Sequence, residues 1–152
     1  MVEAFVDREM RALSAGAQLT LWCGRVWVRH LYAGEPATPC LRRGLEVTGA
    51  ADGLEEICAV LELIGAAGEG RLSFGGCRCR PVTPDESRLL GTIQASQRGG
   101  RDAAVTLFGA WMPPVAARDA AVHAGRFAAC LADADLPVAV IDERGSAPRR
   151  LH

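Results

Sequence analysis

A chain of 152 residues, 49% hydrophobic and 23% charged, has the make-up of one globular domain, since that length buries roughly two thirds of its unfolded surface around one core. The formal net charge of -1 excludes the basic excess that draws nucleic acid or anionic lipid, and no stretch approaches the roughly 18 to 20 apolar residues of a membrane span. All seventeen basic residues are arginine, which reads as the mark of a GC-rich coding sequence and not as an RNA-binding signal.

In residues 2–13, Val2, Phe5, Val6, Met10 and Leu13 recur at three- and four-residue steps, the period of an amphipathic helix. Ser14-Ala15-Gly16 is expected to break it. This segment is acidic and lacks the basic and apolar regions of a secretory signal, so the cytoplasm is the expected location. A second helix is predicted over 18–31, with Leu19, Trp22, Cys23, Val26, Trp27 and His30 on one stripe and Arg25 and Arg29 off it. Trp22 and Trp27 are five positions apart, about 140° around a helix, so the two rings cannot both sit at the centre of one narrow stripe.

Residues 33–39, with Pro36 and Pro39, cannot continue that helix, because proline lacks the amide donor and restricts the residue before it. A short helix over 39–45 follows, then a loop at 48–53 and a helix over 54–66 with Leu54, Ile57, Cys58, Leu61 and Ile64 inward. Gly68-Glu69-Gly70 ends it, 71–74 has the alternation of a short extended run, and 75–81 is a loop. Thr83-Pro84-Asp85-Glu86 has the form of a capping box, with a hydroxyl at the cap, proline at the first helical position and a carboxylate three residues after the cap.

That helix is predicted to run over 84–97. A further one spans 101–112 beyond Gly99-Gly100, and Pro113-Pro114 separates it from the last, over 115–134, with Ala120, His123, Ala124, Phe127, Cys130 and Leu131 along one face. Residues 138–141 are expected to form a strand able to pair with 71–74. The expected fold is a compact, mainly α single-domain bundle of five or six helices over 1–145, with room for one small two-stranded ribbon and a flexible tail at 146–152.

The six cysteines, at 23, 40, 58, 77, 79 and 130, are expected to be reduced, and Cys23, Cys58 and Cys130 on helical patterns are expected to fill the core. Cys77-Arg78-Cys79 is the one unusual local motif, because two thiolates two residues apart can face a single soft cation. Zinc or an iron-sulfur cluster there needs further ligands, for which Cys40, Cys58, His30, His123 or a second subunit are the sources. The neighbouring Arg78, Arg80 and the helix start at Pro84 would favour thiolate and hence redox chemistry. No serine or cysteine elbow and no phosphate-cradling glycine loop is present. Glu86 is accounted for by the cap, and Asp85 by the dipole of the first turn.

Across residues 57–138, the short motifs Cys77-Arg78-Cys79-Arg80-Pro81 and Thr83-Pro84-Asp85-Glu86, with Leu89-Leu90 and Ala95-Ser96-Gln97 after them, resemble a family of small, uncharacterised alphaproteobacterial helical proteins sharing a domain of unknown function. The resemblance implies a helical fold and carries no activity. Where that family has a denser cysteine cluster, Arg78 stands here between two thiols, which weakens a metal inference. The function expected is a non-enzymatic interaction or accessory module that self-associates or joins a larger complex, with Trp22, Trp27, Arg25 and Arg29 as candidate partner-binding residues. The alternative is a thiolate metal or redox protein centred on Cys77 and Cys79. An enzyme would be sought where His30 or His123 meets an acidic partner in a pocket. A protein partner or a second copy is expected, with neither nucleic acid nor membrane.

Overall fold

The computed structural model describes residues 5–68, 73–76 and 81–141. Among them the chain forms six α-helices: α1 (Ala15–Ala33), α2 (Thr38–Thr48), α3 (Leu54–Gly68), α4 (Pro84–Gln97), α5 (Arg101–Phe108) and α6 (Pro114–Asp133), with 3-10 turns at Met10–Ala12 and Ala51–Gly53. The all-α fold is as expected. The capping box starts α4 at Pro84, with both reciprocal bonds formed: Glu86 N donates to Thr83 Oγ1 at 3.2 Å and Thr83 N donates to Glu86 Oε1 at 2.9 Å.

Other boundaries shift for local reasons. Ser14-Ala15-Gly16 starts α1 and does not act as a breaker, because Ser14 Oγ accepts from Ala17 N and caps the first turn. Gly16 is required by its neighbours: a Cβ there would lie 2.3 Å from the Leu136 carbonyl oxygen. Helix α2 outruns its expected end and stops where Gly49 enters the left-handed region at φ 82°. Helix α5 ends early at Phe108, and the chain turns through Trp111 and Met112, whose amides both donate to the Phe108 carbonyl.

The expected helix over 2–13 is absent from its described part. Its apolar pattern is satisfied another way, since Phe5 and Leu13 are fully buried while their neighbours bond across the chain. Asp7 sits at φ 61°, outside the helical region, and its amide donates to the Val82 carbonyl at 2.9 Å, while Val82 N donates to Arg8 O at 3.0 Å. Residues 138–141 do form an extended segment, but among the described residues the partner is the chain ahead of α1 and not 73–74. Leu13 bridges Val140, Ser14 N donates to Ala139 O at 2.8 Å, and Ile141 N donates to Ala12 O at 2.6 Å. Residues 71 and 72 and the 146–152 tail lie outside the described residues.

Helix α6 packs against α3, α4 and α5, and α1 packs against α2, α3 and α4. The buried face of α6 is mostly alanine (117, 120, 121, 124 and 128), with Phe127 and Leu131 as its large members, so neighbouring backbones approach closely and large side chains from facing helices fill the space between. Ile57, Leu61, Ile64, Leu89, Leu90, Ile93 and Phe108 supply that filling, each worth roughly 1.5 to 3 kcal/mol in transfer from water.

Ser14 ties the two ends of the described chain together. Besides its cap, its Oγ accepts from Ala139 N at 2.9 Å and donates to Pro137 O at 2.6 Å. Ser14→Ala removes the cap and leaves the Ala139 amide without its acceptor, with an expected loss of about 1 to 3 kcal/mol in urea unfolding. Faster amide exchange at 138–141 than in α3 should accompany it; unchanged exchange there would refute the clamp.

Candidate functional site

Helix α1 carries the four candidate partner-binding residues, and the structure sends them in different directions. Trp22 lies on α2, where a Cβ on Gly44 would come within 2.3 Å of the ring atom Cη2, and Trp27 lies on α3, where a Cβ on Gly65 would come within 2.4 Å of Cη2. The 140° between them is thus used: each ring enters a glycine notch on a different neighbour, half-buried against the core. Arg29 is exposed.

Arg25 departs from its expected place on the outer face, being only 2% exposed. Its guanidinium grips Glu86 in a fork, Nε to Oε2 at 2.8 Å and Nη2 to Oε1 at 3.0 Å, and Nη2 also donates to the Pro81 carbonyl at 3.2 Å. The Glu86 carboxylate additionally accepts from Gly75 N at 2.7 Å and from Thr83 N. Both charged side chains are out of water, at 1% and 0% exposure. Such a pair is tolerated only when its remaining lone pairs and protons are met. Among the described residues no buried side-chain polar atom lacks a partner.

Asp85 extends this cluster, accepting from Ser73 N at 2.7 Å and from the Trp111 indole at 3.2 Å. Together the Thr83, Asp85 and Glu86 side chains fasten residues 73–75 to the start of α4. The Phe74 ring meanwhile sits against Gly24 of α1, where a Cβ would come within 2.6 Å of it. Arg25 is therefore a structural residue that fixes α1.

Beside these residues lies a groove of about 650 Å³ between the first half of α1 and α2, with Met10 at one end. Leu19 and Trp22 form its floor, Val47 its rim, and Gln18, Thr48 and Arg43 its polar margin. Among the described residues no carboxylate lines it, and Arg25 at its base is already matched by Glu86. Arg43, exposed on α2, is the other charged residue of that lining and gives the groove a positive charge. The sequence signalled Trp22 but not the groove, because a gap between two helices depends on their relative placement.

The histidines do different things. His30 Nδ1 lies 2.9 Å from the Val26 carbonyl of its own helix. His123 Nδ1 is 2.7 Å from Glu56 Oε1 on α3, and Asp119 approaches Nε2 at 3.8 Å, so the acidic partner sought for His123 exists as a half-buried link between α3 and α6. Neither histidine lines the groove. Cys77 and Cys79 lie outside the described residues. Among the described residues no group of three His, Cys, Asp or Glu side chains is arranged to hold a metal ion, and Cys23, Cys40, Cys58 and Cys130 are free thiols.

No family model, curated protein or solved structure matches the chain. Its site is read from its own geometry.

Burial raises the Cys23 thiol far above its ordinary 9.0, with the Cys58 and Cys40 thiols adding to the effect. Burial also raises Cys58, aided by Glu62 and opposed by Thr38 and Arg42, and raises Cys130, aided by Asp52 and Asp133. Below about pH 9 Cys23 is protonated whether the chain is folded or not and the fold keeps its full stability. Above it the unfolded chain releases the proton first, so stability falls by up to about 1.4 kcal/mol per pH unit for this one group. Urea midpoints measured from pH 8 to 10 should fall more steeply for the wild type than for Cys23→Ala; parallel slopes would contradict the assignment.

Proposed function

We propose that the chain is a non-enzymatic interaction module, an accessory domain that docks a protein partner or a second copy, and that the α1/α2 groove is its docking site. The observation that carries this reading is the groove itself: an apolar channel floored by Trp22, with Val47 82% exposed on its rim. An aliphatic side chain so far out of the core contributes nothing to folding, and tryptophan and arginine are the residues most often found at the energetic centres of interfaces. At the far end of α1, away from the groove, Leu31 and Tyr32 are also 54% and 71% exposed. A protein partner fits this surface, and among the described residues no helix is long and apolar enough to cross a membrane.

The reading is tested by photo-crosslinking in the protein's own cells. With p-benzoylphenylalanine replacing Val47, discrete protein adducts are expected, whose masses separate a second copy from a different partner. The same probe replacing Ala129, exposed on α6, should give none. Equal adduct patterns from the two positions would overturn the assignment of the groove as the docking site.

A further inference from the structure

Resting on the interaction-module reading, we infer that the occupant of the α1/α2 groove is an amphipathic α-helix of a protein partner, about three turns of it in contact, presenting bulky apolar side chains to Trp22 and an acidic side chain to Arg43. Three features of the groove select that occupant.

The first is the state of the walls. Both are α-helices whose backbone donors and acceptors, apart from those of the terminal turns, are used internally, α1 running unbroken from its Ser14 cap to Gly34 and α2 to Gly49. They offer no strand edge. An extended peptide laid between them would bring its own amides and carbonyls against apolar surface without partners, at a cost comparable to that of lost hydrogen bonds. A helix brings its backbone already bonded and meets the walls through side chains alone, the helix-in-groove mode.

Length is the second. The α1 residues that line the groove run from Ala15 to Arg25, about 15 Å along the axis at 1.5 Å per residue, or nearly three turns. Apolar positions at i, i+3 or i+4, i+7 and i+10 or i+11 of the occupant match that span. Gly44, the notch for Trp22, keeps the α2 wall low at the middle of the groove, where the central anchor would seat on the indole.

The third is charge. Among the described lining residues Arg43 is the one charge without an opposite partner, there being no acid among them. It stands four residues before Val47, one turn along the same face of α2. The carboxylate of the occupant is therefore required about one turn from the apolar side chain that meets Val47. A basic helix would be repelled at that point, so the arginine also sets the direction in which the partner lies.

An unconstrained random 14-residue display library, selected on the folded wild-type chain and depleted on Val47→Glu, reads the chemistry of the occupant directly. The expected winners have apolar residues at helical spacing with Asp or Glu one turn from one of them, and become helical on binding by circular dichroism. Arg43→Ala should weaken a synthesised winner about twofold to fivefold, as a rim ion pair does. Arg43→Glu should weaken it further, and replacing the peptide's acid with arginine should recover part of the loss. Winners that depend on Val47 but stay extended, lack an acid or ignore Arg43→Glu would overturn this inference and leave the groove as a docking site. Absence of any binder sensitive to Val47→Glu would overturn both.

Discussion

Arg25 and Glu86 face each other inside the protein with no access to water, and the arrangement of the rest of the chain around them follows from the need to make that tolerable. Removing an ion from water costs several kcal/mol even after the protein relaxes, and the mutual attraction offsets this only when geometry is good and every remaining donor and acceptor is met. Here the pair is bidentate, the Pro81 carbonyl takes a third guanidinium bond, and the amides of Gly75 and Thr83 complete the carboxylate. The middle of α1 is thereby held to three pieces of a distant stretch, the segment at 73–75, the residues before α4, and the start of α4 itself, Arg25 and Glu86 being 61 residues apart. A carboxylate that caps its own helix and holds a buried arginine cannot shift without losing both functions.

With α1 fixed in this way, glycines decide how the other helices meet it. Trp22 and Trp27 project from α1 toward different neighbours, and α2 and α3 accept them only because Gly44 and Gly65 leave space for the rings. Phe74 uses Gly24 in the same manner, and Phe127 of α6 uses Gly53 ahead of α3. Large rings set into glycine notches give dense contact at few positions, while the alanine face of α6 gives close contact along a whole helix. The α1/α2 groove is what remains where α2 lies against Trp22 but not against the first turns of α1. Its floor is held by the same packing that holds the core, so a partner would meet a surface already formed.

The sequence makes plain those parts of the structure whose cause is local. Helical periodicity marks five of the six helices, the prolines before 39–45 mark α2, and the capping residues from Thr83 to Glu86 give the start of α4 to the residue. What it hides has a non-local cause. The 2–13 segment has a helical pattern, yet its backbone bonds to Val82 and its end pairs with Val140, partners that no window around it contains. Arg25 is a sharper case: Arg25 and Arg29 look alike on a helical wheel, and only the carboxylate 61 residues away distinguishes the buried one from the exposed one. The cap accounts for a glutamate at position 86 by itself, so its second partner leaves no local signal in the sequence. Gly24 beside Arg25 was the available hint, a residue without a side chain where something must approach closely. For the site, Trp22 was legible, whereas Arg43 became significant only once α2 was seen to run back along α1.

The central claim is that α1 is held by the Arg25–Glu86 pair acting as a unit. A double-mutant cycle with Arg25→Met and Glu86→Gln, read by urea unfolding of the two single variants and the double variant, tests it most directly. Each single change should cost about 3 to 5 kcal/mol because it strands the other partner, and the double should cost clearly less than the sum, with a coupling of about 2 to 4 kcal/mol. Additive losses, with coupling near zero, would show that the two side chains stabilise the fold independently and would contradict the account.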